Sequence, residues 1–190
     1  MTGPQTRRRV EGMVLFAAYA ACVPFANWLI GHVGTMCIPH GPCVLPVAPG
    51  LMAPSGVVAA SLALILRDLV QRRLGLAWSA VAVGVGAALS AIFAPPALIL
   101  ASTLAFAVSE TLDLAVYTPL QRRGLVIAAL ASSLAGLVAD SLVFLTLAFG
   151  NLDLLAGQVV GKFWVVLATL PALAAVQARD RRLGLSTDPS

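Results

Sequence analysis

Charge is what this sequence has least of. Only 11% of its 190 residues are Asp, Glu, Lys or Arg, where soluble domains carry roughly a quarter. With 59% apolar residues and a mean hydropathy of +0.94, the chain reads as an integral membrane protein. Lysine occurs once, at Lys162, and histidine twice, at His32 and His40; only His32 touches an apolar run, at its edge. That scarcity argues against histidine-assisted proteolysis inside a membrane. Three cysteines in such a chain are not a disulfide framework. No glycine-rich phosphate-binding loop is present, so the chain carries no ATPase motif of its own. The net charge of +4 is not gathered into one patch, which argues against a nucleic-acid partner. The arginines instead form small clusters between apolar runs, a topology signal.

Six apolar runs reach spanning length, at about 12–33, 51–70, 76–93, 97–120, 124–149 and 154–176, each near the ~20 residues a span needs. Arg7, Arg8 and Arg9 followed by Ala18-Tyr19-Ala20 resemble a secretory signal, but the apolar run continues past Cys22 to Val33. It is read as the first span. Arg7 to Arg9, then Arg67, Arg72 and Arg73, then Arg122 and Arg123, then Arg179, Arg181 and Arg182 fall on alternate connections, whereas 34–50, 94–96 and 150–153 contain no Arg or Lys. The positive-inside rule then places both termini in the cytoplasm. The expectation is an all-α, six-helix transmembrane bundle forming a single domain over 1–190.

The first connection, TMCIPHGPCVLPVAPG at 35–50, holds four prolines and two glycines, and regular structure is not expected across it. Cys37 and Cys43 would face an oxidising compartment, where a small disulfide loop and a lid or partly re-entrant segment are both open. His40 between them makes a weak metal signal, because a fourth ligand is missing. The third run has two rows of small residues, Ala80/Gly84/Ala88 and Ala82/Gly86/Ser90. Such rows let helices approach closely and leave room for a homodimer.

The costly residues lie inside the spans. On a helix over 101–120, Phe106, Glu110, Asp113 and Tyr117 share one face. Each carboxylate there costs ~2.5–3.5 kcal/mol by insertion scales. Asp140 in the fifth run and Lys162 in the sixth lie about nine and eight residues from the outer ends, a depth difference of a couple of ångströms at ~1.5 Å per residue. They are expected to pair, with Gln158 and Asn27 in nearly the same layer. Arg67-Asp68 is read as an interfacial anchor at the end of the second run. Glu110 and Asp113 are then left without a cation, to be satisfied by a ligand or a proton. A polar cavity between the first, fourth, fifth and sixth helices is the favoured reading. Carboxylates, amides and aromatic rings together suit a planar heterocycle rich in N–H donors, while an organic cation would suit the acids alone.

Several segments resemble the VUT family of queuosine-precursor transporters: LMAPSGVVAASLALILRDLVQRRLG at 51–75, ASTLAFAVSETLDLAVYTPL at 101–120, ADSLVFLTLAFGNLDLLAGQVVG at 139–161 with Lys162, and Ala26-Asn27-Trp28. The resemblance implies a bacterial inner-membrane importer of 7-cyano-7-deazaguanine or its aminomethyl relative, not an enzyme, with no cofactor. Family motif positions that fall on this chain are Asn27, Arg67, Asp68, Ser109, Glu110, Asp113, Tyr117, Asp140, Gln158 and Lys162. The candidate binding set is Asn27, Trp28, Phe106, Ser109, Glu110, Asp113, Tyr117, Asp140, Gln158 and Lys162, with Phe106, Tyr117 or Trp28 stacking on the base. Ser132-Ser133 stands where the family often has Ser-Asn, which puts the preferred base in question. A fainter similarity to the membrane-embedded binding components of energy-coupling-factor vitamin transporters implies the alternative of a partner ATPase.

Overall fold

A computed structural model describes residues 4–38 and 42–184; His40 and its metal reading lie outside the described residues. Six α-helices form: α1 (Pro4–His32), α2 (Val57–Leu74), α3 (Leu76–Phe93), α4 (Ile99–Leu120), α5 (Leu125–Phe149) and α6 (Leu155–Arg182). All but α2 are long and apolar enough to cross a membrane, so the chain is a multi-pass membrane protein. The bounds of α3, α4 and α5 follow the apolar runs closely, and glycines mark several ends. Gly75, at φ 89°, separates α2 from α3, and left-handed Gly150 donates its N–H to the Thr146 carbonyl to stop α5.

The second helix departs from expectation. It begins at Val57 rather than residue 51, because 51–54 are a strand. Its charged residues Arg67, Asp68, Arg72 and Arg73 are buried, and only a narrow apolar face at Val58 and Leu62 is exposed. The helix packs against each of the other five helices. Around it run α1, α3, α4, α5 and α6, each touching the next. Between α6 and α1 the ring is completed by a sheet at one end and by ion pairs at the other.

The fold is therefore not all-α. Strands β1 (Met36–Cys37), β2 (Cys43–Ala48) and β3 (Leu51–Pro54) make an antiparallel sheet in the order β1-β2-β3. The prolines do not prevent it, because β1 covers only Cys43 and Val44 of β2, and Pro46 lies beyond that pairing at a register irregularity. Cys37 and Cys43 sit opposite each other in the ladder and are joined as a disulfide. The Ser55 hydroxyl donates to the Leu29 carbonyl (2.7 Å), tying the sheet to α1. On the other side β3 lies directly on α6 at Gly157, where a methyl group would overlap the Met52 carbonyl.

At the opposite end the arginines gather. Buried Asp180 accepts from Arg72 Nε (2.7 Å) and from Arg73 Nη1 and Nη2 (2.9 and 2.8 Å). Glu11 is held by Arg7, Arg73 and Arg179 (3.1, 3.0 and 2.6 Å). Arg72, Arg122, Arg123 and Arg181 line one shallow depression there. The start of α1, the ends of α2 and α6 and the α4–α5 connection thus share one end of the bundle. Of the two small-residue rows on α3, Ala82, Gly86 and Ser90 face inward, while Ala80, Gly84 and Ala88 are exposed.

Candidate functional site

A cavity of about 90 Å³ lies in the half of the bundle nearer the sheet. Its polar lining is Asn27 from α1, Ser90 from α3, Ser102 from α4, Asp140 from α5, and Gln158 and Lys162 from α6; Phe106 and Phe144 supply aromatic walls. A smaller recess of about 20 Å³ lies beside it, sharing Phe106, Asp140 and Lys162 and bounded further by Ser109 and Glu110. Gly86 makes room for this geometry, since any side chain there would strike the Phe106 ring and the Tyr19 hydroxyl.

Lys162 is the polar centre of the cavity wall. Its ammonium pairs with Asp140 and donates to Ser141 Oγ (3.0 Å) and Gln158 Oε1 (3.0 Å). The depth match between Asp140 and Lys162 therefore becomes a direct contact. All three ammonium protons have protein acceptors, so the lysine orients its neighbours rather than reaching out itself. Because Gln158 spends its oxygen on Lys162, its amide N–H groups remain for a ligand carbonyl. Asp140, 22% exposed at its side chain, also lines the cavity. Asn27 donates to the Val23 carbonyl (3.0 Å), one turn back and beside Pro24, which leaves its own carbonyl free.

Beneath the recess lies an ion cluster that the sequence reading assigned wrongly. Arg67 is fully buried, not an interfacial anchor. Its Nε donates to Glu110 Oε2 (3.1 Å), and its Nη2 approaches Asp68 Oδ1 at 2.9 Å and Asp113 Oδ2 at 2.5 Å. Glu110 and Asp113 thus do have a cation at hand, supplied by α2. The Arg67 guanidinium also lies over the ring of fully buried Tyr117, 5.8 Å from its centroid, and Nη1 donates to Gln71 (3.2 Å). Ser132 donates to Asp68 Oδ2 (3.0 Å). The Ser132-Ser133 departure therefore sits at the ion cluster and not in the cavity wall.

The candidate residues fall into three places. Asn27, Phe106, Asp140, Gln158 and Lys162 line the cavity, and Ser109 and Glu110 line the recess. Asp113 and Tyr117 belong to the ion cluster below. Trp28 faces away: it is 50% exposed and stacks between Phe25 and His32, at 6.1 and 5.2 Å between centroids. On a helix, the residue after inward-facing Asn27 is turned by about 100°, which carries it out of the cavity. Ser141, the third acceptor on Lys162, was missed, although its place beside Asp140 was the available signal.

Neither a curated protein nor a solved structure matches the chain. A family model described as "Putative vitamin uptake transporter" matches residues 54–176, well over half of the sequence, covering α2 to most of α6, the ion cluster and the cavity lining apart from that of α1. The chain belongs to that family of membrane transporters.

Proposed function

We propose that this protein imports a 7-deazaguanine-type base, a queuosine precursor, across a bacterial inner membrane, with six spans and both termini cytoplasmic. The reading rests on one observation above all. An amide with free N–H groups (Gln158) opens onto the cavity and a carboxylate with a free oxygen (Glu110) onto the neighbouring recess, with Phe106, Asp140 and Lys162 common to both walls. A guanine-like edge offers two N–H donors beside a carbonyl oxygen, which complements an acceptor and a donor placed side by side. In this reading Glu110 or Asp140 accepts from the ring N–H edge, Gln158 and the second Asn27 N–H donate to the carbonyl end, and Phe106 stacks. Lys162 fixes the orientation of Asp140 and Gln158. The six-span topology has α2 cross as the core of the bundle, its charges shielded by the five apolar helices.

The test is uptake in cells unable to make the precursor, read as queuosine in tRNA. Expression of this chain restores the modification, and Glu110→Gln and Gln158→Leu abolish the restoration at unchanged membrane abundance. Full restoration by both variants refutes the site. The family's description names vitamins, which favours a second ligand class, a planar vitamin. A direct-binding panel of guanine, the two deazaguanines and common vitamins separates the two. Transport by the chain alone in liposomes eliminates dependence on a partner ATPase.

A further inference from the structure

The ion cluster does not balance. Arg67, Asp68, Glu110 and Asp113 are each at most 1% exposed, and one guanidinium stands against three carboxylates. Among the described residues no nearby cation restores neutrality. Lys162 is taken by Asp140, and Arg72 and Arg73 are taken by Asp180. Around Glu110, α2 presents Arg67 and Asp68, α4 presents Asp113, α5 and α6 present the Asp140–Lys162 pair, and α1 presents Tyr19. Fully ionised, the cluster would bury two uncompensated negative charges, which proteins avoid at such depth.

Hydrogen bonding points the same way independently. Asp68 Oδ1 and Asp113 Oδ2 both crowd Arg67 Nη2, yet none of the three atoms is aligned for a hydrogen bond among the described residues. Asp113 Oδ1 likewise lacks a donor. Ser133 Oγ is fully buried and unpartnered, on the face of α5 where Gly136 packs against Asp113. Buried acceptors without donors are rare in folded proteins. A proton supplies both deficits at once, removing a negative charge and converting an acceptor oxygen into a donor. Carboxylates crowded together commonly share a proton for this reason. A metal ion would have to occupy the centre that the guanidinium already fills.

We propose that Asp68, Glu110 and Asp113 form a proton-binding site, and that Glu110, the one member opening onto the recess, links its occupancy to the cavity. The substrate-free protein holds at least one proton among the three carboxylates. A ligand N–H donating to Glu110 favours the ionised carboxylate, so binding releases a proton from a carboxyl oxygen to water; no redox partner is involved. The linkage rests on the transport reading above, whereas the occupancy does not.

Infrared spectroscopy of the purified, substrate-free protein at neutral pH tests the occupancy. A deuterium-sensitive carbonyl stretch of a protonated carboxylic acid is expected in the wild type and is expected to weaken in Asp113→Asn. Absence of that band in the wild type overturns the proposal without recourse to any variant. So does a band that disappears when sodium replaces potassium, which would make this a cation site. For the linkage, titration calorimetry with 7-cyano-7-deazaguanine in two buffers of different ionisation enthalpy is expected to give different heats, reporting proton release. Equal heats overturn the linkage. A base that produces no heat and does not bind counts against the substrate assignment, while the infrared result still decides the proton site.

Discussion

Replacing Arg67 by methionine keeps much of the side-chain volume and removes the guanidinium that contacts three buried carboxylates. The guanidinium contacts Glu110, Asp68 and Asp113 at 3.1, 2.9 and 2.5 Å, and both it and its partners are shielded from solvent. Breaking a buried pair from one side strands the other charge and costs roughly 3–5 kcal/mol. For a chain of this size the Tm is expected to fall by roughly 6–20 °C, at about 2–4 °C per kcal/mol. The measurement is thermal unfolding of purified protein in detergent, followed by tryptophan fluorescence. Two companions give it meaning. Arg7→Gln removes a pair that is 48% and 23% exposed, and such pairs contribute less than about 1 kcal/mol. Arg67→Met combined with Asp113→Asn removes one stranded charge and is expected to recover part of the loss. If Arg67→Met melts within the range of Arg7→Gln, the cluster does not hold the bundle together and the reasoning fails.

Three further outcomes follow from the geometry. Gly157→Leu drives a side chain into the Met52 backbone, and overpacking of this kind costs roughly 1–3 kcal/mol; lower Tm and faster proteolysis of the sheet should both appear, and an unchanged melt would contradict the close packing of β3 on α6. Reducing the Cys37–Cys43 disulfide frees a loop of sequence separation 6, for which chain entropy gives a loss of about 2 kcal/mol; a reductant-insensitive Tm in the wild type, matching a Cys37→Ser/Cys43→Ser variant, would show that the sheet holds without the bond. Trp28→Ala should leave ligand affinity unchanged because the ring points away from the cavity, and a tenfold weakening would return it to the binding set.

What the sequence disclosed depended on whether a residue's environment follows from its own helix. The bounds of α3, α4 and α5 follow from apolar runs ended by glycine, proline or arginine, and the structure keeps them within a few residues. The Asp140–Lys162 contact was legible for a simple reason: both helices start from one short connection and rise uniformly, so counting inward compares depths directly. Residues 43–54 were not legible. Proline argues against strand pairing only where the backbone N–H is needed, and whether β1 would reach Pro46 is a property of the neighbouring strand, not of β2.

Arg67 shows the harder limit. It was grouped with Arg72 and Arg73 because charge counting treats arginines near a helix end as topology markers. Yet Arg67 lies about 7.5 Å deeper from the C-terminal end of the helix than Arg72, at 1.5 Å per residue, which is too deep for an interfacial role. The low hydropathy of α2 carried the correct signal: a helix with four charges in 18 residues must turn those charges away from lipid, and only Val58 and Leu62 are left exposed. Once α2 occupies the centre of the ring, its inward charges have to be answered by neighbouring helices, and α4 answers with Glu110 and Asp113. The acids on α4 and the arginine on α2 are thus one structural feature divided between two segments. Within its own helix the arginine reads as an anchor and the acids as unpartnered, and the remaining negative charge becomes visible only when the two are counted together.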